Sequence, residues 1–203
     1  MRIDFLPRHA LEDGAPHQFC LHCHAESVEW FTEGGRKRCA CAACGRVADR
    51  ALVLDPAVSW WVEPDGEYWH ETAGVFLRDP EGRFLFFQRT AYPFALTVPA
   101  GHVERGEEPA AAAARELFEE TGVPPPVMRP LERLPIPGDG CRRGADAHVW
   151  HPFLAEFDGR APLRLNSEGE SARWLGAREA LSHDLTHAVR TLLERLATTL
   201  DDG

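Results

Sequence analysis

The sequence predicts an α/β fold with a small cysteine-rich module at its N-terminal end. Two observations support this prediction: β-rich runs alternate with helical segments after residue 68, and five of the six cysteines fall between residues 20 and 44. A chain of 203 residues has room for one ordinary domain and a small appendage. We therefore expect four segments, which are a lead-in over 1–16, the cysteine-rich module over 17–50, a joining segment over 51–68 and the main domain over 69–203.

The joining segment and the first strands are predicted from apolar and β-branched runs. Trp60 and Trp61 make the joining segment too apolar for a free linker, so we expect it to pack against a domain. The four residues Asp79-Pro80-Glu81-Gly82 predict a hairpin turn. The strands expected in this half of the chain are Trp69–Leu77, Arg83–Arg89 and a short one before Gly101.

A helix is predicted after Glu108. Pro109 suits a first helical turn, Ala110–Ala114 are strong helix formers, and Gly122 followed by Pro124 indicates the end. On this helix three carboxylates share one face, because Glu116, Glu119 and Glu120 are spaced i, i+3 and i+4. Such crowded oxygen ligands suit Mg²⁺ or Mn²⁺, whereas the alternative is a solvated acidic face.

The last third of the chain predicts three strands and a closing helix. The strands are expected over Val127–Ile136, Ala147–Phe157 and Ala172–Leu175. On the second of them, alternation places His148 and Trp150 on one face, where they would either line a pocket or pack in the core. The helix is predicted from its apolar spacing, with Asp184 as its cap and Leu185, Val189, Leu192 and Leu196 in the core.

The cysteines of the N-terminal module form two C-x2-C pairs. The pairs Cys20–Cys23 and Cys41–Cys44 are separated by seventeen residues, within the spacing of a four-cysteine zinc site. A disulfide framework is the alternative, but it fits a reducing compartment badly. Three further residues stay open as substitute ligands, namely Cys39, His22 and His24. Cys141 stands apart from the module, and no role is predicted for it.

A zinc site with four protein ligands has no open position, so we interpret the module as structural. Its five basic and four acidic side chains over residues 17–50 give a net charge of only +1. The run Arg36-Lys37-Arg38 is therefore interpreted as a solvated turn rather than a phosphate clamp. Helping to form a homodimer or a substrate cleft remains open as a further role.

The segment over residues 101–123 carries the most specific pattern of the chain. It places Gly101, Glu107 and the run Arg115-Glu-Leu-Phe-Glu-Glu-Thr-Gly-Val at the spacing G-x5-E-x7-R-E-U-x-E-E-x-G-U, where U is aliphatic. This spacing resembles the signature of the Nudix hydrolases at every position. The resemblance covers roughly residues 69–200 and implies an α/β/α sandwich with a mixed sheet.

The same resemblance implies roles for the residues of the motif. Glu116 is expected to bind the catalytic Mg²⁺ or Mn²⁺ and, as in some members, to act as base. Glu119 and Glu120 are expected to be further metal ligands, and Arg115 to orient Glu116. Glu107 would brace the loop before the helix.

Several outlying groups are candidates to complete the site. The carbonyl of Gly101 is expected to contact the metal, because glycine allows close approach of the backbone. Glu168 and Glu170 lie in a late polar loop of the kind that carries an extra acid in some Nudix hydrolases, although a solvated loop carboxylate is the alternative. Arg89 would either contact phosphate or form an ion pair with the acidic motif.

The implied activity is hydrolysis of a diphosphate bond in a nucleoside diphosphate linked to another moiety, such as ADP-ribose, FAD, NAD(H) or a nucleotide sugar. A zinc ribbon ahead of such a domain is similar to the NADH pyrophosphatases, but their SQPWPFPxS motif is absent after Val123. Two alternatives stay open, which are a non-catalytic Nudix domain that binds a nucleotide ligand, and RNA-end processing.

The charge of the chain limits its partners. The net charge of −10 and the isoelectric point near 5.4 argue against broad attraction to nucleic acid or membranes. No apolar run approaches membrane-spanning length, and the first residues lack a signal-peptide core. We expect a cytoplasmic protein whose partner is a small molecule.

Overall fold

The computed structural model describes residues 1–7 and 9–201, and all of their side chains except those of 197, 198 and 201. This part of the chain forms three sheets and four helices. The strands are β1 His17–Phe19, β2 Val28–Glu33, β3 Arg36–Cys41, β4 Val47–Ala48, β5 Leu52–Leu54, β6 Trp60–Val62, β7 Tyr68–Arg78, β8 Phe84–Arg89, β9 Leu96–Thr97, β10 Ala100–His102, β11 Met128–Pro130, β12 Leu134–Pro137, β13 Ala147–Glu156 and β14 Gly169–Leu175. The helices are α1 His9–Glu12, α2 Pro109–Thr121, α3 Ala177–Ala180 and α4 His187–Asp201.

The largest sheet is mixed and is organised around β7. Its main order is β11-β13-β7-β8-β14, while β6 and β10 also pair with β7, β12 with β13 and β9 with β8. β13 runs parallel to β7 over ten paired residues, from Ala147 opposite Trp69 to Glu156 opposite Arg78. The pairs of β7 with β6, β8 and β10 are antiparallel. Because β7 pairs on both sides, it is the fixed reference for the site described below.

Helices cover both faces of this sheet. On one face Val75 and Leu77 pack with Leu117 of α2, and on the other Phe76 and Phe84 pack with apolar residues of α3 and α4. Alternate side chains of β7 thus pack into two hydrophobic cores, one on each face of the sheet, because successive side chains of a strand point to opposite faces. The predicted α/β/α sandwich with a mixed sheet is confirmed. Among the residues described, no helix is both long and apolar enough to cross a membrane.

Helix α2 begins and ends at the residues that the sequence predicts. Pro109 occupies the first turn, and Gly122 ends the helix in the left-handed region at φ 70°, where its amide donates to the Phe118 carbonyl over 2.8 Å. Glycine adopts this backbone conformation without steric cost. The helix therefore presents its acidic residues at fixed positions.

The N-terminal module has its own three-stranded sheet, in the order β2-β3-β4. Its base is a separate antiparallel pair in which Phe19 of β1 lies opposite Leu52 of β5. The segment after β5 packs as expected, because Trp60 and Trp61 lie in β6, paired with β7.

Two predictions of element boundaries are wrong. Residues 127–136 form two strands, β11 and β12, because residues 131–133 lie opposite only residues 151 and 152 of β13 and one extra residue interrupts the ladder. The closing helix begins at His187, so Asp184 is not its cap. The backbone of residues 184–186 instead pairs with Leu96, whose amide donates to the Asp184 carbonyl and whose carbonyl accepts from Thr186, each over 2.9 Å.

Candidate active site

The acidic face of α2 meets β10 at one end of the large sheet. Glu120 is only 3% exposed, and its Oε2 accepts a 2.8 Å hydrogen bond from the amide of Ala100. Glu116 is partly buried and Glu119 is exposed. All three carboxylates line one cleft with a volume of 280 Å³, as do Gly101 and Arg115. The structure thus brings together the residues that the motif predicts.

Gly101 is required by packing rather than by backbone conformation. A β-carbon at this position would overlap the carboxylate of Glu116. The residue sits in β10, opposite Ala73 of β7, so the strand cannot easily move away. The glycine of the motif therefore makes room for the neighbouring carboxylate.

Arg115 connects the acidic residues to one another. Its Nε and Nη2 each donate over 3.0 Å to the two oxygens of Glu107, and its Nη1 donates over 2.7 Å to Glu116. Weaker contacts reach Glu119 at 3.4 Å and the His102 carbonyl at 3.2 Å. Glu107 in turn accepts the Glu104 amide over 2.9 Å. This bidentate arrangement fixes the direction of the guanidinium group and, with it, of Glu116.

Burial makes the ionised carboxylates costly without a positive charge nearby. It raises the pKa of Glu120 to about 8, with Glu116 adding to the effect and Arg89 opposing it. Burial also raises the pKa of Glu116, against the opposing influence of Arg115. A divalent cation would favour the ionised forms. Because the side-chain donors are all carboxylate oxygens, they fit Mg²⁺ or Mn²⁺.

The cleft also contains arginines. Arg89, Arg142 and Arg143 line it, and Arg143 forms an ion pair with Asp55 at 2.7 Å. The Nε of Arg89 is buried and has no hydrogen-bond partner among the residues that the structure describes. Arg89 forms no direct ion pair within the described chain, so the predicted pairing with the acidic motif is wrong as a contact, although the Arg89 charge opposes the rise in the pKa of Glu120. The Arg89 guanidinium remains available to an anion.

The two late acidic residues lie in different places. Glu168 lines the cleft, whereas Glu170 lies in β14 opposite Gln88, is exposed and is not one of the described lining residues. Of the two candidates, Glu168 is therefore the one near the motif.

The four predicted zinc ligands also converge. The Sγ atoms of Cys20 and Cys44 are 3.8 Å apart, and those of Cys23 and Cys41 are 3.6 Å apart. All four sulfurs lie within 4.8 Å of one another. Four thiolates at about 2.3 Å from a tetrahedral zinc ion would have nearly this separation.

The pKa values of two of these sulfurs are shifted in opposite directions. A hydrogen bond from the Ser27 hydroxyl lowers the pKa of Cys41 to about 6. At Cys23 the Ala25 amide lowers the pKa, but burial and the neighbouring sulfurs outweigh it and raise the pKa to about 12. Bound zinc would favour the thiolate at every position.

The alternative ligands of the module lie elsewhere. Cys39 donates through its sulfur to the carbonyl of Arg50 at 3.3 Å, and the ring of His24 stacks on Phe5 at 3.6 Å. His22 contacts Cys20 through its backbone amide. The cluster therefore consists of the two C-x2-C pairs.

The module also contacts the rim of the cleft. The guanidinium of Arg142 lies 5.4 Å from the ring centroid of Trp30, and that of Arg36 lies 4.5 Å from Phe94. The Lys37 amide donates to the Thr90 carbonyl over 3.1 Å. The basic run is thus not simply a solvated turn, because part of it packs on the main domain.

The predicted pocket residue Trp150 lines the cleft and is also held by packing, whereas Trp60 and Trp61 pack against aromatic neighbours. Trp150 is 6% exposed, and its Nε1 donates over 2.7 Å to Asp139. Trp60 packs edge-on against Tyr68, and Trp61 stacks on Trp69.

No pattern in the sequence indicates that Cys141 and three histidines meet beside the cleft. His70, His102 and His148 lie on separate strands, and Cys141 lies in the loop between β12 and β13. No local spacing connects residues so far apart in the chain. Only the strand registers bring them together.

Comparison with known proteins identifies the family. The NUDIX domain family matches residues 69–196. The RNA pyrophosphohydrolase of Roseobacter denitrificans is 49% identical over 129 residues, covering 54% of this chain and 78% of the relative. The asymmetrical bis(5'-nucleosyl)-tetraphosphatase of Rattus norvegicus is 31% identical over 122 residues, covering 59% of this chain and 77% of the relative.

Solved structures agree on the fold. The Ap4A hydrolase of C. elegans, in a binary complex, superimposes with a TM-score of 0.54 at 23% identity, covering 66% of this chain and 99% of that one. The NUDIX domain of Shewanella oneidensis NrtR, complexed with ADP ribose, superimposes with a TM-score of 0.55 at 21% identity. The match covers 65% of this chain and 88% of that one. With the motif, the fold and the cleft in agreement, the chain belongs to the NUDIX domain family and is a hydrolase of that family.

Proposed function

We propose that the protein hydrolyses a phosphoanhydride bond in a nucleoside diphosphate linked to another moiety, with Mg²⁺ or Mn²⁺ as its catalytic metal. The observation that supports this most is the shared cleft, in which the carboxylates of Glu116, Glu119 and Glu120 lie with Arg89 and Arg142. A metal and a chain of phosphates need this combination of acidic and basic groups.

The proposed roles follow from the contacts of each residue. The three glutamates and the carbonyl of Gly101 would hold the metal, with Glu168 as a further acid in the cleft. When bound, the metal neutralises the diphosphate and lowers the pKa of the attacking water. Arg115 holds Glu116 in place through its 2.7 Å bond, and Glu107 holds Arg115.

Glu116 is the proposed base. It accepts a proton from water as the water oxygen bonds to phosphorus. The bond from that phosphorus to the bridging oxygen breaks, and the leaving phosphate carries the electron pair away. Two phosphate-containing products result.

The arginines are the proposed phosphate contacts. The buried Nε of Arg89 has no partner in the described part of the chain, and a buried donor of this kind is costly unless a ligand accepts from it. The guanidinium of Arg142 lies over the ring of Trp30. Both guanidinium groups therefore remain able to bind an anion in the cleft.

The proposed role of the N-terminal module is structural. Cys20, Cys23, Cys41 and Cys44 would hold one zinc ion, and the module would support the cleft rim through Trp30.

The proposed substrates are ADP-ribose, FAD, NAD(H) or a nucleotide sugar. A second candidate is a 5'-polyphosphorylated RNA end or a dinucleoside polyphosphate, which the names of the two curated relatives favour. The acidic net charge of −10 favours the small molecules over the RNA.

A panel of these compounds tests the proposal, with Mg²⁺ or Mn²⁺ and mass-spectrometric identification of products. We expect turnover of one class, which Glu120→Gln reduces by about 10³-fold or more while Glu170→Gln, an exposed glutamate outside the cleft, leaves it unchanged. Tight binding of a nucleotide without turnover would instead indicate a binding module. Equal turnover by the Glu120 variant would contradict the assignment of the metal site.

A further inference from the structure

A second group of metal-ligand side chains lies beside the cleft, apart from both the acidic motif and the four-cysteine cluster. His70, His102, Cys141 and His148 each offer one ligand atom, and these atoms all lie within 4.8 Å of one another. We propose that these four side chains bind a metal ion of the four-coordinate kind that Zn²⁺ represents.

The strand registers place the three imidazoles together. His148 of β13 pairs directly with His70 of β7, and His102 of β10 pairs with Thr72, two residues further along β7. Paired residues, and residues two apart on one strand, project from the same face of a sheet. The ring centroid of His70 accordingly lies 4.7 Å from that of His102 and 5.4 Å from that of His148.

Cys141 completes the group from the loop between β12 and β13. Its Sγ lies 3.7 Å from the Nδ1 of His70. The backbone around it is anchored, because its amide donates to Ala145 and its carbonyl accepts from the Nε of Arg50, each over 2.9 Å. The thiol is thus held against the imidazoles rather than carried on a free loop.

The hydrogen bonding of His148 is typical of a histidine that binds a metal. Its Nδ1 lies 2.8 Å from the carbonyl and 3.1 Å from the carboxylate of Asp139, so this nitrogen carries the proton and the other is left for the cluster. Asp139 is fixed in turn by the 2.7 Å bond from Trp150. A histidine that donates to a carboxylate or a carbonyl on one side and binds metal on the other is the common arrangement at such sites.

The environment of His70 also favours a ligand. The side chain is fully buried, its Nε2 has no hydrogen-bond partner, and within the described chain its only hydrogen-bonding contact is the Cys141 sulfur. Buried polar groups in folded proteins rarely lack partners. An ion that binds Nε2 would supply the interaction that this nitrogen lacks.

The donor set indicates the metal class and its role. Three nitrogens and one sulfur suit Zn²⁺ or a similar transition metal and not Mg²⁺, which takes oxygen ligands. Four protein ligands leave no open position, so the ion would be structural. It would clamp the loop carrying Arg142 and Arg143 to β10, whose His102 carbonyl contacts Arg115.

The test is the zinc content of purified, folded protein. We expect Cys141→Ser and His148→Ala each to lower zinc by about one ion per chain. His151→Ala is the matched control, because His151 lies on the same strand but bonds to Glu71 outside the cluster, and its zinc content should not change. Wild-type zinc content in both cluster variants would overturn the proposal.

X-ray absorption at the zinc edge of the wild-type protein tests the site even if the variants fail to fold. The expected spectrum contains imidazole nitrogen scattering in addition to sulfur, since the four-cysteine cluster alone would give sulfur only. A shell of sulfur alone would refute the second site.

Discussion

The carboxylate of Glu116 occupies the space that a β-carbon on residue 101 would need. The contact joins β10 to α2, and both elements are fixed, one by pairing with β7 and the other by its apolar face. The absence of a side chain at Gly101 is therefore what allows the carboxylate of Glu116 to lie where it does.

Gly101→Ala is expected to reduce kcat by about 10²-fold, because the new methyl group displaces Glu116 and a shift of about 1 Å has this effect on catalysis. Because the overlap involves only the end of the Glu116 side chain, the loss of stability should be small beside the loss of kcat. Steady-state kinetics and urea denaturation measure the two effects. Gly176→Ala is the control, since a β-carbon there meets nothing within 4 Å; equal kinetics for both variants would contradict the packing argument.

Arg115→Lys is expected to reduce kcat by at least about 10-fold while leaving the protein folded, because an ammonium group cannot bond both Glu107 oxygens and Glu116 at once. The same kinetic measurement, together with circular dichroism, checks this. Arg160→Lys, at an arginine whose side chain is 88% exposed, should have no effect. Full activity in the Arg115 variant would show that the orientation of Glu116 is set by something else.

Asp79 makes stability depend on pH. Burial would raise the pKa of its carboxyl, but hydrogen bonds from the Arg83 amide at 2.8 Å and the Arg83 side chain outweigh burial and hold the pKa below its ordinary value of 3.8. A depressed pKa stabilises the fold above the unfolded pKa, and this contribution is lost as pH falls through the folded pKa.

Asp79→Asn should therefore lower the free energy of unfolding by about 1–2 kcal/mol at neutral pH. The difference from wild type should hold down to about pH 5 and shrink as the pH falls below about 4. Urea denaturation across this range is the measurement. Asp158→Asn, at an exposed carboxylate, is the control and should stay close to wild type throughout; a difference that grows toward acid would reverse the assigned sign.

Cys44→Ser is expected to lower the zinc content by about one ion per chain, because its sulfur lies 3.8 Å from that of Cys20 inside the cluster. Cys39→Ser removes a cysteine whose sulfur bonds to a backbone carbonyl, and it should retain the metal. Elemental analysis of both variants distinguishes them. Equal zinc loss would mean that Cys39 belongs to the ligand set.

Features controlled by neighbouring residues were predictable from sequence. Pro109 and Gly122 mark the ends of α2 because each acts on its own turn of backbone. The spacing within each C-x2-C pair favours two neighbouring sulfurs, whereas the fold of the module brings the two pairs together, with Cys20 3.8 Å from Cys44 and Cys23 3.6 Å from Cys41. The match to the Nudix motif extended this local information to the whole sheet.

Features controlled by strand register were not predictable. The cluster around Cys141 exists because β13 pairs with β7 so that His148 meets His70, and no local pattern encodes that alignment. Asp184 failed as a helix cap for a similar reason, because its carbonyl is used by Leu96, a residue distant in sequence. Tertiary pairing overrode the local signal in both cases.

The antiparallel pair of β1 and β5 has a consequence for protein engineering. Phe19 and Leu52 lie side by side, so the thirty-two residues from 20 to 51 leave and rejoin the molecule at almost one point. The two ends of that segment are therefore already neighbours, so it can be exchanged as one piece. Exchanging it for another closed segment would leave the large sheet in place and alter the rim, where Trp30 faces Arg142, provided that the new segment keeps Arg50, which donates to the Cys141 carbonyl. A single scaffold could thus carry different selectivity rims over an unchanged hydrolytic centre.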